Sequence, residues 1–563
     1  MPVKFVFWDR INRLRAELFK RWICDNPDLR EFIMSSLLIR NNKVLLVGLP
    51  GSGKSTLVRL IAKALSRKGD NNECCLIFGM TIGAPEKTLQ KVLMSTNIVK
   101  LLTTGEEEII VRPIVKARIK FINEINRFSK SVQDALLSLL EEGYLEYGGT
   151  IFRTPEYICF ADMNPFRGDI DRALKARFLG SCYIDIPSIY ESKKILDGLL
   201  NSEMQHREYP DLVKTMPQIM SIEELERVWD DVAQVHIPEI VKLFTLMLVA
   251  AFRVCKYRRS MVGYMRLKCA DCEYSNEPCS FVQEPPDERA NIALLFYARA
   301  RAWLYRRARV SFDDVIWAAP YVLAHRLEIK PLVKSRSPNP WELIRRTIRD
   351  IVSTKWVSDG EAGIWAKALA LVCKILDIEP IAPLEEVFRE YSDEEKLVAL
   401  QKLERLAYGE FGRGDLVLQQ VYFYVKNQLQ EHLKDTRIRL LGILNELLSK
   451  PDVTLSELES FRECLRKYPS EIVGDIIDKL LVKMEEYKVA FNLEAPVNIS
   501  EFMMVLAQHG IPQEIITNML DRTQSKNISY TSSLLRIKRL GKNIIIMTET
   551  KELADELRRS LWS

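Results

Sequence analysis

The chain has 563 residues, of which 47% are hydrophobic and 28% are charged. This composition is typical of a folded globular protein, and the length exceeds what one core supports, so we expect two to four domains. The net charge of +5 is too small to indicate a nucleic acid partner by itself. No apolar run approaches the roughly 18 residues that a membrane-spanning helix needs. We therefore expect a cytoplasmic protein without a membrane segment.

Residues 1 to 40 form an N-terminal segment that is amphipathic and basic at its start. It lacks a clean apolar stretch followed by a small-residue cleavage site, so we interpret it as helical, with a transit peptide as the alternative.

From residue 41 to residue 187, short apolar runs alternate with helical patterns. The strand-like runs are "KVLLVG", "CCLIFGM", "RIKFIN", "YICFAD" and "CYIDIP". This alternation predicts an α/β fold in which a parallel sheet is covered by helices. Residues 188 to 330 have a helical period almost throughout.

A glycine-rich loop, "GLPGSGKST", lies between the strand "KVLLVG" and a helical pattern. It matches the phosphate loop G-x-x-x-x-G-K-S, in which glycines let backbone N–H groups turn toward phosphate oxygens at a helix N-terminus. Lys54 would hold the β- and γ-phosphates, and the Ser55 hydroxyl would bind Mg²⁺. The predicted nucleotide-binding residues are Gly48, Gly51, Ser52, Gly53, Lys54, Ser55 and Thr56.

The stretch "IKFINEINRF" reads as a buried strand that ends at Asn123 and is followed by Glu124. In phosphate-handling proteins this place usually carries an aspartate for magnesium and then a glutamate for water. Here an amide stands first, which keeps one oxygen acceptor but loses the charge, and charge-assisted bonds are about twice as strong as neutral ones. We expect weakened Mg²⁺ binding at Asn123 and slow rather than absent hydrolysis.

The segments "NEINR", "LLEEG", "YLEYGGTIFRTP" and "MNP" follow one another between residues 123 and 165. Together they resemble the second half of an AAA+ module of the MoxR family, with its strand, helix, β-hairpin and strand. The resemblance continues through "MSIEELERVWDDVAQVHIPEIVKLFTLMLVAAFR" and "VSFDDVIWAAPYVLAHRL", so it covers residues 40 to 330 approximately. It implies an AAA+ core over residues 41 to 187 and a helical lid over residues 188 to 330.

The resemblance also implies residue roles and an activity, ATP hydrolysis with Mg²⁺. Glu124 takes the position of the base that polarises water, and Asn164 takes the sensor position beside the γ-phosphate. Arg177 takes the position of the arginine finger that reaches a neighbouring subunit, with Arg172 as a second candidate. Arg289 takes the position of the lid arginine.

Four cysteines interrupt the lid within residues 255 to 279, in the order Cys255, Cys269, Cys272 and Cys279. The spacing C-x₁₃-C-x₂-C-x₆-C in a polar context is compatible with four thiolates on one metal. We expect structural zinc, with an iron–sulfur cluster as the alternative metal and disulfides or unrelated thiols as the metal-free reading.

The partners follow from the family resemblance. It implies a ring, in the form of a hexamer, that remodels a protein client and helps to mature complexes or insert metal cofactors. A von Willebrand factor A partner would act in trans, because the chain lacks its D-x-S-x-S motif. A nucleic-acid-remodelling motor that uses the basic, aromatic lid is less favoured, and a nucleotide-gated scaffold with vestigial hydrolysis is a third hypothesis.

After the lid, "PLVKSRSPNP" at residues 331 to 340 reads as a linker. Residues 341 to 563 are predicted to form a mainly helical domain with a small hairpin near the end, in "SSLLRIKRLGKNIIIMT", and a last helix after it. They resemble no family that we can name.

Overall fold

The computed structural model describes the chain apart from a set of short segments, which are residues 1, 66–76, 148, 201–208, 254–271, 273, 275–276, 337–338, 359–360, 385–389, 410–413, 451, 467, 469, 522–526 and 563. The chain divides into two compact units. The first contains residues 1–373, 378–387 and 405–421, and the second contains residues 374–377, 388–404 and 422–563. All the predicted nucleotide-binding residues belong to the first unit.

The N-terminal segment of the first unit contains two helices, α1 (Trp8–Arg21) and α2 (Pro27–Leu37). Helix α1 buries Ile11, Leu14 and Leu18, whose spacing forms one apolar stripe. Helix α2 begins with a proline at its first position, and the Asn26 side chain accepts a hydrogen bond from the backbone of the first turn. The sequence therefore specifies both helices locally.

The α/β core follows, and its elements in chain order are β1 (Lys43–Val47), α3 (Lys54–Leu65), β2 (Phe78–Ile82), α4 (Leu89–Val92), β3 (Met94–Thr96), α5 (Ile98–Thr104), β4 (Ile109–Val111), α6 (Pro113–Lys116), β5 (Ile119–Asn123), α7 (Lys130–Glu142), β6 (Tyr144–Tyr147), β7 (Thr150–Arg153), β8 (Ile158–Met163), α8 (Arg172–Lys175) and β9 (Gly180–Tyr183). Five strands form a parallel sheet in the order β2-β5-β8-β1-β9. This confirms the predicted α/β fold class. Because all five strands run in one direction, their carboxyl ends meet at one edge, where α/β proteins bind ligands.

In the described part of residues 41–187, two antiparallel hairpins lie outside this sheet. Strands β3 and β4 flank α5, and β6 pairs with β7 from Tyr144↔Arg153 to Tyr147↔Thr150. The second hairpin is the one implied by "YLEYGGTIFRTP".

The lid region contains α9 (Ile189–Leu200), α10 (Tyr209–Lys214), α11 (Ile222–Ala233), α12 (Glu239–Ala251), β10 (Val282–Glu284), α13 (Arg289–Leu304), α14 (Phe312–Leu323) and β11 (Glu328–Ile329). Its helices α11 and α14 begin with capping boxes, in which Ser221 pairs with Glu224 and Ser311 pairs with Asp314. Buried Asp231 on α11 accepts hydrogen bonds from Trp303 and from the backbone of the N-terminal segment. The N-terminal segment is thus fixed to the lid.

The predicted linker at residues 331 to 340 contains a short helix, and the first unit continues beyond it. The elements are α15 (Pro331–Arg336), α16 (Pro340–Ile351), β12 (Val357–Ser358), β13 (Glu361–Ala362) and α17 (Ile364–Leu376). Buried Trp341 donates to the Ser181 carbonyl on β9 at 3.0 Å, so α16 is anchored to the edge of the sheet. The first compact unit therefore extends past residue 340, where the sequence predicts a domain boundary.

Beyond this point the elements are α18 (Asp393–Tyr408), α19 (Leu416–Ser449), α20 (Leu455–Leu465), α21 (Ser470–Glu485), β14 (Lys488–Asn492), α22 (Ile499–Gln508), α23 (Gln513–Leu520), β15 (Ile528–Thr531), β16 (Leu535–Leu540), β17 (Asn543–Thr548) and α24 (Lys551–Trp562). The second unit has two hydrophobic clusters, one within residues 440–487 and one within residues 489–561. Strands β16 and β17 form the predicted hairpin, which turns at Gly541. They are the central pair of a four-stranded antiparallel sheet ordered β14-β17-β16-β15, which is larger than the isolated hairpin that the sequence predicts.

Among the residues that the structure describes, no helix has both the length and the apolar character required to cross a membrane.

Candidate nucleotide site

The glycine-rich loop joins β1 to α3 as the sequence predicts, and its glycines are structurally required. Gly51 and Gly53 have φ of +82° and +80°, which side chains other than that of glycine rarely allow. A Cβ on Gly48 would lie 2.2 Å from the Ile184 carbonyl oxygen. The loop therefore presents bare backbone at the N-terminus of α3, where an anion is stabilised.

Lys54 is buried at the first position of α3 and folds back onto this loop. Its Nζ donates to the carbonyl oxygens of Gly48 at 2.9 Å and Leu49 at 2.7 Å, and to Ser52 Oγ at 3.2 Å. Burial lowers the pKa of Lys54, and the nearby carboxylates of Asp162 and Glu124 oppose that shift. The Lys54 N–H groups that would donate to a phosphate therefore donate to carbonyl oxygens of the loop.

The N-terminal segment also contacts the phosphate loop, through a residue that the sequence analysis missed. The buried Trp22 side chain donates from Nε1 to the Gly53 carbonyl oxygen at 3.2 Å. A Cβ on Gly53 would lie 3.0 Å from that Nε1. In the sequence, Trp22 is marked only by its position just after the amphipathic α1. That position indicates a buried side chain but does not indicate which residue the side chain contacts.

Glu124 follows β5 in a left-handed conformation, with φ of 52°, which costs a residue other than glycine about 1–3 kcal/mol. A Cβ on Gly83 would lie 2.0 Å from the Glu124 carbonyl oxygen, so glycine is needed opposite this turn. Arg127 Nη1 lies 2.5 Å from Glu124 Oε2, and Arg167 Nη1 lies 3.3 Å from Oε1. Two arginines therefore hold the predicted base.

Strand β8 brings two polar side chains to the same edge of the sheet. Asn164 is buried, and its Oδ1 accepts from the Phe166 backbone N–H at 3.0 Å. Asp162 is 5% exposed, and its Oδ1 accepts from the Glu124 backbone N–H at 2.6 Å. Burial raises the pKa of Asp162 to about 6, against the opposing effects of that N–H and of Lys54. The sequence analysis missed Asp162, although the acid in "FADMNP" was a visible signal.

The predicted arginines form a separate group. Arg177 and Arg289 both make ion pairs with Glu141 on α7, and the Arg289 Nη2–Glu141 Oε1 distance is 2.6 Å. In the described part of the chain, neither arginine hydrogen-bonds to a phosphate-loop residue. Arg172, the second finger candidate, pairs with Glu284. The structure thus gathers Lys54, Glu124, Asp162 and Asn164 at the strand ends and joins Arg177 and Arg289 through Glu141.

Two of the four predicted metal ligands, Cys255 and Cys269, lie outside the described residues. Cys272 is buried and Cys279 is half-buried, and the Cys279 backbone N–H donates to the Tyr274 carbonyl at 3.0 Å. Within the described residues, no three His, Cys, Asp or Glu side chains are grouped so that they could hold a metal. The four-cysteine site stays a prediction.

Comparison with known families matches two parts of this unit. Residues 43–178 match the AAA domain of the dynein-related subfamily, and residues 287–346 match an AAA lid domain. With the parallel sheet and the phosphate loop, these matches define an AAA+ ATPase module.

The relatives specify the type of module. The chain is 25% identical to "Chaperone MoxR1" of Mycobacterium tuberculosis over 61% of this chain and 82% of that protein. It is 26% identical to "Protein MoxR" of Paracoccus denitrificans over 54% of this chain and 84% of that protein. It is 25% identical to "Uncharacterized protein YeaC" of Bacillus subtilis over 57% of this chain and 87% of that protein. These relatives confirm the resemblance to MoxR proteins.

The geometry around Glu124 leads to a first prediction. Glu124→Gln should lower ATP turnover by about 10² to 10⁴-fold, because it removes the carboxylate that we predict accepts a proton from water. Nucleotide affinity, measured by titration with a fluorescent ATP analogue, should be retained because the phosphate loop is untouched. Exposed Glu86 offers a matched control, and Glu86→Gln should leave phosphate release unchanged. Hydrolysis by Glu124→Gln at the wild-type rate would exclude Glu124 as the base.

Proposed function

We propose that the chain is a MoxR-like ATPase that assembles into a hexameric ring in the cytoplasm and remodels a protein client. The cluster of Lys54, Glu124 and Asn164 at the carboxyl edge of the parallel sheet is the observation that carries this proposal. A role in maturing complexes or inserting metal cofactors, with a von Willebrand factor A partner in trans, belongs to the same proposal.

The phosphate loop and its neighbours have the donor set that ATP and Mg²⁺ require. Loop N–H groups and Lys54 would hold the β- and γ-phosphates, exchanging the loop carbonyls for phosphate oxygens. The Ser55 hydroxyl and the oxygen ligands at the end of β5 would hold Mg²⁺, which prefers oxygen. Mg²⁺, when bound, neutralises charge on the phosphate oxygens.

Hydrolysis would then use side chains that the strand ends already hold. Glu124 accepts a proton from the attacking water while the oxygen of that water forms a bond to the γ-phosphorus. The bond from that phosphorus to the bridging oxygen breaks, which leaves ADP and inorganic phosphate. The Asn164 amide orients the water and the γ-phosphate.

The arginines around Glu124 provide a means of restraint before ATP arrives. Arg127 and Arg167 pair with both carboxylate oxygens of Glu124, so a water that is to be activated must compete with two cations for that carboxylate. The Arg167 backbone N–H donates to the Asn164 carbonyl at 3.1 Å. If Asn164 shifts on contact with a γ-phosphate, Arg167 would shift with it, and the ion pair between Arg167 and Glu124 would change.

The pairing of Arg177 and Arg289 on Glu141 supports action across a subunit interface. Both cations share one carboxylate, and a phosphate of a neighbouring subunit would offer them a stronger anionic partner. Arginine fingers supplied in trans contribute about 10³ to 10⁵ in rate. We infer that Arg177 serves the adjacent site in the ring and that Arg289, as the lid arginine, couples the position of the lid to the nucleotide state.

Helix α5 supports a protein client. Its side chains Ile98, Val99 and Leu102 are 65%, 71% and 80% exposed, and Ile151 on the β6–β7 hairpin is 55% exposed. Grouped apolar side chains on a surface indicate an interaction site. The chemistry fits an unfolded or apolar polypeptide segment better than a nucleic acid backbone, which would require a basic surface.

The ring proposal predicts complementation between two inactive variants. Arg177→Ala and Glu124→Gln proteins should each be inactive, while a mixture should regain part of the wild-type turnover. Some interfaces in the mixture combine an intact base with an intact finger. Arg346→Ala, which alters an exposed arginine paired with Glu277, serves as the control. A mixture without activity, under conditions where size-exclusion chromatography shows rings, would contradict a trans role for Arg177.

The client surface is tested with α5. Val99→Ser with Leu102→Ser should keep basal ATP turnover but lose its stimulation by a permanently unfolded, carboxymethylated polypeptide. Leu332→Ser, at another exposed apolar position, should keep both. Stimulation by single-stranded DNA instead of polypeptide would support the nucleic acid motor, and absence of any turnover with Mg²⁺ and ATP would support the scaffold.

The four lid cysteines predict bound metal. Elemental analysis of the purified protein should find about one zinc per chain, because Cys₄ sites are tetrahedral and closed. Cys269→Ser with Cys272→Ser should lose it, while Cys464→Ser, at an exposed position far along the chain, should not. Iron with sulfide would assign a cluster to the same ligands. The absence of both zinc and iron would contradict a metal site at these cysteines.

A further inference from the structure

The chain lacks an acid at Asn123, yet a carboxylate lies on the adjacent strand. Strand β8 runs between β5 and β1, and its pairing includes Ile122↔Ala161 on one side and Leu46↔Asp162 on the other. One residue beyond Ile122 and Ala161, the same register brings Asn123 beside Asp162. Side chains at neighbouring positions of paired parallel strands point to the same face of the sheet. The Asp162 side chain therefore lies on the same face of the sheet as the side chain at position 123, where an acid is missing.

Contacts of Asp162 place it among the residues that would act on nucleotide. Its Oδ1 accepts the Glu124 backbone N–H at 2.6 Å, so it lies directly at the end of β5. Its charge also acts on Lys54, whose Nζ lies within the phosphate loop. Asp162 thus holds the residue that follows the magnesium position, and its charge acts on the lysine that would meet phosphate.

We propose that Asp162 supplies the carboxylate of the Mg²⁺ site, in place of an acid at position 123. This rests on the proposed function as an Mg²⁺-dependent ATPase. One carboxylate oxygen accepts the Glu124 backbone N–H, and the second oxygen would bind magnesium or a water in its shell. The Asn123 amide oxygen adds a neutral acceptor beside it.

The alternative is that Asp162 only positions Glu124. A neutral hydroxyl or amide could also accept the Glu124 N–H, and a buried charge costs free energy unless a cation compensates it. Lys54 is the nearby cation before ATP binds, but phosphate oxygens compete for that ammonium afterwards. A divalent cation at the strand ends gives the Asp162 charge a partner in the nucleotide complex.

The proposal is tested by removing the carboxylate at position 162 and then placing one at position 123. Asp162→Asn keeps the size and the acceptor for the Glu124 N–H but removes the charge. It should raise the Mg²⁺ concentration needed for tight binding of a fluorescent ADP analogue by about 10-fold to 100-fold, the range seen when groups supporting a metal are lost. The double variant Asn123→Asp with Asp162→Asn should restore the wild-type Mg²⁺ dependence. Mn²⁺ binding in the presence of ADP, followed by electron paramagnetic resonance, should change in parallel.

A control variant and the pattern of results distinguish failure of the Asp162 proposal from failure of the proposed function. Asp169→Asn, at an exposed acid that pairs with Lys175, should leave Mg²⁺ dependence unchanged. An unaltered Mg²⁺ dependence in Asp162→Asn overturns the proposal, and so does a loss that the double variant fails to restore, which would leave Asp162 as a positioning residue. Asp162→Ser, which keeps a hydroxyl acceptor, replaces Asp162→Asn if that variant does not fold. Wild-type protein that shows no Mg²⁺-dependent nucleotide binding would instead reject the proposed function.

Discussion

The hydrogen bond from the Glu124 backbone N–H to the Asp162 carboxylate connects the two strands on which the candidate chemistry depends. It joins the end of β5 to the end of β8 at 2.6 Å. Glu124 adopts a left-handed conformation there, and Gly83 leaves the space that its carbonyl requires. Since β8 also pairs with β1, the same strand sets the distance between this turn and the phosphate loop. The geometry of the predicted base, the lysine and the sensor amide therefore depends on the register of three strands.

Much of the first unit could be predicted because its signals are local. Apolar runs bounded by turns mark the parallel strands, and the phosphate loop carries its own conformational requirements at Gly51 and Gly53. The role of Asp162 could not be assigned, because it depends on which strands pair and in what register. Trp22 was missed for a similar reason, since an amphipathic segment shows which side chains are buried but not what they contact. The predicted linker at residues 331 to 340 contains α15, because Pro and Ser residues also occur at the ends of short helices.

The charged residues of the first unit form two groups with different partners. Lys54, Glu124, Asp162 and Asn164 belong to one protomer's strand ends, whereas Arg177 and Arg289 share Glu141 on α7. In the proposed ring, one subunit would contribute the nucleotide cradle and the next subunit would contribute Arg177. The second unit has two hydrophobic clusters and its own antiparallel sheet, so it can fold around its own cores.

We propose that the strand ends of this chain form an Mg²⁺–ATP site in which Asp162 carries the magnesium carboxylate. The most direct measurement is a structure of the assembled protein with Mg²⁺ and a non-hydrolysable ATP analogue. In that structure Lys54 should leave the Gly48 and Leu49 carbonyls for phosphate oxygens. An Asp162 oxygen should bind magnesium at about 2.1 Å or through one water of its shell. A nucleotide bound in the loop with Asp162 directed away from the metal, and Asn123 alone beside it, would contradict the account.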